Sequence, residues 1–458
     1  MHTLSLEIRE LILLSGPIVF TQLGQISNGF VDVIMVGRLG PADLAGVALG
    51  NATYFLFALI GIGVLMAVGP MVSQAYGAEE PEPIERTVRQ ALWLGVGLAL
   101  PAFCIMWNAA PFWTIIRQDP ATIELAQDYL RAAVWGFLPF MWFNGFRNFV
   151  EAISKPLPVT LIIVCGIGLN IVANYGLMFG NFGLPRLGLV GTGWATTMVN
   201  CFMLMAIMIY IKIRPYFRPY RVFSRLWQRD FQYLKELLRI GLPVGASYGL
   251  EVTLFTTTAF LVGTLGPTPL AAHQIAIQCA AVAFMVPLGI GIATSVRVGQ
   301  NIGRRSIFAA ASAGYMGMGL ALLFMTGTAL LFLLAPHQVV GIYMATETAA
   351  NSETAHLAIR LLGVAAFFQL FDGLQVAAQG ALRGLKDTRI PMLLCFVAYW
   401  LIGLPSGVLL GFGLDWGAPG LWWGLVAGLL AASLMLSLRF VILSRKRLRS
   451  RLDTPGAR

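Results

Sequence analysis

Three acidic residues, Asp32, Glu251 and Asp372, each lie inside a long apolar run. A carboxylate at the centre of a membrane helix costs roughly 2.5–3.5 kcal/mol on insertion scales, so acids there usually face a cavity and handle ions, protons or cationic cargo. Their neighbours at helical spacing extend the chemistry, because residues three, four or seven apart share a face. Gln25, Asn28 and Asp32 form one face. Asn170 and Asn174 form another, and Thr196, Thr197 and Asn200 lie in the next run. In the second half, Tyr248, Glu251, Phe255 and Thr258 align, as do Gln274 and Gln278, and Phe368, Asp372, Gln375 and Gln379. Carboxylate, amide and hydroxyl oxygens suit a hard cation, so Glu251 and Asp372 are the expected holders of a monovalent one. The same carboxylates could titrate instead, since burial favours their neutral form and a bound cation the charged form. Aromatic rings one turn away, such as Phe368 beside Asp372, suit flat lipophilic cations. The bland alternative is that the amides and hydroxyls are interhelical glue, worth roughly 1 kcal/mol each. No Lys or Arg close in sequence is expected to neutralise Glu251 or Asp372.

The elements that must hold these residues follow from composition. The 458 residues are 57% hydrophobic and 11% charged, with a mean hydropathy of +0.76, where a soluble domain has about 25% charged residues. Twelve apolar runs are each long enough for a ~30 Å hydrocarbon core: 11–35, 47–74, 88–112, 125–150, 157–180, 188–212, 237–263, 273–300, 308–334, 354–381, 391–413 and 419–443. Barrel strands would be shorter and would alternate in polarity. The first run lacks a cleavage pattern and reads as a mature helix. The expected fold is therefore an all-α polytopic membrane protein of twelve transmembrane helices. The five cysteines lie in apolar runs without paired spacing, and the four histidines are scattered. Neither a disulfide framework, a structural metal nor a cofactor is expected.

The net charge of +10 is concentrated in alternate connections. Arg214, Arg218, Arg221, Arg225 and Arg229 crowd the central one; Arg297, Arg304 and Arg305 follow the eighth run; Arg383, Lys386 and Arg389 follow the tenth; Arg445 to Arg451 fill the tail. This positive-inside pattern places both termini in the cytoplasm. It assigns the basic residues to topology and to anionic membrane lipids rather than to nucleic acid.

The chain also contains a repeat. Run 11–77 lies over 237–303 without a gap: Pro17 meets Pro243, Gly37, Leu39, Gly40 and Pro41 meet Gly263, Leu265, Gly266 and Pro267, and Gln74 and Gly77 meet Gln300 and Gly303. Further on, Phe143-Asn144-Gly145 meets Phe371-Asp372-Gly373. Six spans per half make the two repeats parallel, an arrangement characteristic of transporters. The expected domains are a lobe over 1–212, a basic linker over 213–236, a second lobe over 237–443 and a basic tail over 444–458. The acids are not symmetric: Asp32 meets Thr258, Glu251 meets Gln25 and Asp372 meets Asn144.

VDVIMVGRLGPADLAGVALG (31–50), GPMVSQAYGA (69–78), GLEVTLF (249–255), GPTPLAAHQIAIQ (266–278), VGQNIG (298–303), FDGLQVAAQGALRGLKDTRIP (371–391) and YWLIGLPSG (399–407) together resemble the multidrug and toxic compound extrusion (MATE) family, in its bacterial NorM-like branch. The resemblance runs from the first span to the twelfth. It implies two six-helix lobes forming a V-shaped cleft, a multi-pass protein of the bacterial inner membrane, and export of lipophilic organic cations and drugs in exchange for inward Na+ or H+. It assigns coupling acids to Asp32, Glu251 and Asp372, places Asn170 and Asn174 near Asp32, and puts an aromatic, often tyrosine, where Phe368 stands. A monomer is expected. The alternative is a lipid-linked oligosaccharide flippase of the same broad superfamily, which would need a cationic cleft. No HExxH, GxSxG or P-loop motif argues for an enzyme.

Overall fold

The computed structural model describes residues 2–344 and 352–452; the end of the expected tail, 453–458, lies outside the described residues. Twelve long helices follow one another: α1 (His2–Val36), α2 (Pro41–Gly77), α3 (Pro81–Trp107), α4 (Pro120–Ala133, then a 3-10 turn at Val134–Gly136, then Phe137–Ala152), α5 (Leu157–Phe179), α6 (Leu189–Ile213), α7 (Phe231–Gly263), α8 (Pro267–Gly303), α9 (Ile307–Leu334), α10 (Ser352–Gly384), α11 (Arg389–Gly413) and α12 (Gly417–Leu452). No strand occurs among the described residues. Short helices at Ala110–Ile115 and Pro336–Gly341 follow α3 and α9 at the offset that aligns Pro17 with Pro243.

Local chemistry sets the helix starts. Pro41, Pro81, Pro120 and Pro267 each open a helix, where the missing N–H costs nothing and φ is already suited. Gly40 and Gly266, at φ 144° and 121°, make the turns before α2 and α8. A side chain at either would be strained, which explains the Gly-Pro pair in both repeats. The Asp119 carboxylate caps α4 by accepting from the Thr122 N–H at 3.1 Å.

Among the described residues, nine helical segments are long and apolar enough to cross a membrane. The three remaining helices, α1, α4 and α7, carry Gln22, Gln25, Asn28 and Asp32; Arg147 and Glu151; and Glu251. Polar residues that line an interior lower the mean hydropathy of the helix bearing them. Leu323, 70% exposed in the middle of α9, fits lipid as its solvent.

Two compact units result. One is Phe20–Gly245; the other joins Met1–Val19 to Ala246–Arg458. The expected lobe boundaries at 212 and 237 follow the repeat, whereas the units follow the packing, and α1 and α7 each divide two residues beyond a proline. Within the first unit, a Cβ on Gly63 of α2 would collide with the Gly245 backbone of α7. Within the second, a Cβ on Gly289 of α8 would meet Val19 of α1 at 2.6–2.9 Å. Gly63 with Gly289, and Gly245 with Val19, are repeat equivalents, so the same close crossing is built twice.

Candidate functional site

The first unit builds its site along α1 and α5, which run parallel. The Thr21 and Thr160 hydroxyls share a hydrogen bond of 3.0 Å, and Gly24 leaves room for Ile163. Three turns further on, the half-buried Asp32 Oδ1 accepts from Asn174 Nδ2 at 2.7 Å and from Asn170 Nδ2 at 3.2 Å. Asn174 also donates to Asn170 Oδ1 at 3.2 Å. This is the proximity that the family resemblance implies, and one carboxylate with two amide oxygens is a donor set for a hard cation. Asn28 Oδ1 is buried without a hydrogen-bond partner. Gln25 and Asn28 share Asp32's helix face, yet no hydrogen bond joins either to it. Thr197 belongs elsewhere: its hydroxyl donates to Ala132 O at 2.7 Å and accepts from Gly136 N–H at 3.1 Å, mending the break in α4.

The second unit builds its site where α7 and α10 run antiparallel. Glu251 and Asp372 are 7% and 3% exposed and close enough to interact electrostatically. Gln375 approaches the Glu251 carboxylate, but neither of its amide atoms completes a hydrogen bond. Asp372 Oδ1 also has no partner. Unpartnered buried oxygens are rare in native structures; here they are a donor set suited to a cation or proton. At one end of the seam, Phe255 meets Phe368 edge-on with centroids 5.8 Å apart, and Phe368 packs on Trp422 at 5.8 Å. Phe368 thus sits in an aromatic cluster beside the acids. Gln379 donates to Cys395 Sγ at 3.6 Å. No hydrogen bond ties the half-buried Gln278 to either acid.

One residue of this site was missed. Position placed Arg383 among the loop charges after the tenth span, but α10 continues through Gly384 and Arg383 is 3% exposed. Its Nη1 donates to the Tyr248 hydroxyl at 3.1 Å, and its charge acts on Glu251. No Lys or Arg close in sequence reaches Glu251; the basic neighbour comes from another helix through the fold, and Tyr248 serves it as a hydrogen-bond partner. The signal was present: 372, 375, 379 and 383 are one helical face.

The repeat explains why the acids are asymmetric. Where one unit has Asp372, the other has Asn144, whose amide donates to Phe140 O of its own helix at 2.8 Å. Where one has Asp32, the other has Thr258, donating to Leu254 O at 2.9 Å. These two neutral counterparts bond within their own helices.

Known proteins match this chain along its length. The family model MatE matches residues 17–176 and 243–409, two stretches that begin at the equivalent Pro17 and Pro243. The probable multidrug resistance protein NorM of Pseudomonas aeruginosa is 39% identical, covering 95% of this chain and 89% of that protein. The multidrug resistance protein NorM of Burkholderia vietnamiensis is 40% identical over 93% and 92%. The crystal structure of the eukaryotic MATE transporter AtDTX14 shares the fold, with a TM-score of 0.86 at 22% identity and 98% coverage of both chains. The chain therefore belongs to the multidrug and toxic compound extrusion family of membrane transporters, in its bacterial NorM-like branch.

Proposed function

We propose that this protein is a multidrug efflux transporter of the bacterial inner membrane, exporting lipophilic organic cations in exchange for inward Na+ or H+ by alternating access of its two lobes. It works as a monomer with both termini in the cytoplasm. The observation that carries the reading is the buried pair Glu251 and Asp372 on facing helices, with Asp372 Oδ1 unpartnered. The multidrug resistance names of the relatives support the cargo class.

In the outward-facing state the incoming cation binds chiefly at Glu251 and Asp372, with Asp32 and its two asparagines as a second site. Its charge cancels theirs and weakens the hold on a cationic cargo. Discharge of the ion to the cytoplasm restores the negative charge that recruits new cargo. Coupling requires the ion to bind one state more tightly than the other, since equal affinity shifts nothing. At the second unit's candidate site two carboxylates stand against one guanidinium, and at the first Asp32 stands with two asparagines; both disfavour the flippase alternative, which needs net positive charge for a pyrophosphate.

The test uses purified protein in liposomes preloaded with a fluorescent lipophilic cation, with an inward Na+ gradient and a proton gradient imposed separately. Efflux driven by one gradient and lost in Asp372→Asn supports the proposal and names the ion. Full ion-driven efflux in both Asp372→Asn and Glu251→Gln overturns it.

A further inference from the structure

The linker between α6 and α7 is fastened to one face of α3. Arg86 Nε donates to Asp230 Oδ2 at 2.7 Å, Gln90 Nε2 to Gln228 O at 3.0 Å and Trp93 Nε1 to Leu226 O at 2.8 Å; the Ser224 hydroxyl donates to Glu85 Oε1 at 2.9 Å. The α3 partners follow helical spacing, so the linker is held along a rail. Two successive turns, with Ser224 N donating to Arg221 O at 2.8 Å and Gln228 N to Arg225 O at 2.9 Å, shape it. Each opens on an arginine at positive φ, 42° and 49°, a conformation that costs a non-glycine residue and persists only where the surroundings enforce it.

Between rail and linker lies a cavity of about 1170 Å³ lined by six arginines and three acids. The acids are already engaged: Asp230 and Glu82 pair with Arg86, and Glu85 with Arg89 at 3.1 Å. Arg218, Arg221, Arg225 and Arg229 occur in none of the ion pairs among the described residues; Arg229 lies over the Trp93 ring at 4.6 Å. Four guanidinium groups without carboxylates, each with a fork of donors, match phosphate oxygens. Beside them the linker presents a partly exposed aromatic rim: Trp227 is 86% exposed with one edge against Trp93, and Tyr216, Phe223 and Leu226 are also exposed. Water is a poor solvent for that rim, whereas the headgroup layer of a membrane favours aromatics beside basic residues.

We propose that this cavity binds the phosphate headgroup of an anionic phospholipid, with Arg221 and Arg225 as principal contacts and Trp227 seated in the interface. Soluble phosphate offers the same oxygens but would leave the aromatic rim exposed.

The test is native mass spectrometry of the full-length protein released from nanodiscs containing phosphatidylglycerol and phosphatidylcholine. Wild type is expected to retain phosphatidylglycerol selectively. The double variant Arg221→Gln with Arg225→Gln should lose retention by about tenfold, while Arg304→Gln with Arg305→Gln, the same charge loss in another connection, should change it by less than about twofold. Equal losses in the two double variants, or no loss in either, overturn a specific site. Competition on the wild-type protein needs no variant: inorganic phosphate at millimolar concentration should leave the lipid bound. Its displacement of the lipid at those concentrations would assign the cavity to a soluble anion and overturn the proposal.

Discussion

Asp372 holds a position that a stability argument alone would not select. A carboxylate buried without a full set of partners carries a desolvation penalty that a neutral amide of the same shape largely avoids. Asp372→Asn should therefore reduce ion-driven efflux by about tenfold or more while its unfolding temperature stays level or rises, the pattern of a site retained for activity at the expense of stability. A lower unfolding temperature that tracked the lost activity would make Asp372 structural. Arg383 calls for the opposite kind of test. Its positive charge acts on Glu251 and, under the proposed mechanism, would compete with an incoming cation. Arg383→Gln should lower the ion concentration for half-maximal efflux by about threefold or more. A higher concentration requirement at full folding would mean that Arg383 only orients Tyr248 and the helix seam.

At the scale of elements, α4 illustrates how polar residues are spent on architecture. Its 3-10 turn exposes backbone groups, and the Thr197 hydroxyl satisfies two of them. Thr197→Val removes both hydrogen bonds within a buried contact and should cost about 1–2 kcal/mol in unfolding measurements, with the ion dependence of efflux unchanged. The α11–α12 pair depends on small residues: a Cβ on Gly424 would collide with the Gly407 backbone, so these helices pack at backbone distance. The linker clamp is an electrostatic element. Burial raises the Asp230 pKa, but hydrogen bonds from Arg86 and from the N–H groups of Tyr233 and Gln232 outweigh it and hold the carboxyl below its ordinary value of 3.8. A group with a depressed folded pKa contributes stability above its unfolded pKa and loses it as pH falls through the folded one. The clamp should stay closed from neutral pH to below the usual carboxylate range. Trp227 fluorescence should then be constant until that range is passed, and a transition near pH 6 would exclude Asp230 as its anchor.

For the molecule as a whole, the repeat is expressed in packing as well as in sequence. The first parts of α1 and α7 each join the compact unit that holds the other repeat's second helix, at the equivalent crossings Gly63–Gly245 and Gly289–Val19. Because the crossings are the same construction, Gly63→Leu and Gly289→Leu should each lower folded yield, and to within about twofold of one another, since both force a packed backbone apart. Fluorescence size-exclusion profiles of the two variants would check this. A tolerant Gly289 beside an intolerant Gly63 would show that only one crossing is tightly packed.

Much of this was legible in the amino-acid order. Apolar length sets the number of spans, because hydrocarbon thickness is constant. The Gly-Pro turns and Pro17 with Pro243 reveal the repeat, because backbone geometry restricts which residues can stand there. Asp32, Glu251 and Asp372 stand out because charge is costly at that depth. Asn170 and Asn174 could be paired with Asp32 only through the family resemblance, since periodicity gives a residue's face and not the helix it meets. That limit explains the rest. Arg383 reads as a loop charge because it follows an apolar run, and only the packing of α7 against α10 buries it beside Glu251. Thr197 reads only as one more polar residue of its apolar run until α4 is seen to break opposite it. The division of α1 and α7 between two units rests on contacts far apart in the chain, Gly63 with Gly245 and Gly289 with Val19. Local propensity carries no record of such contacts, and only the folded chain decides them.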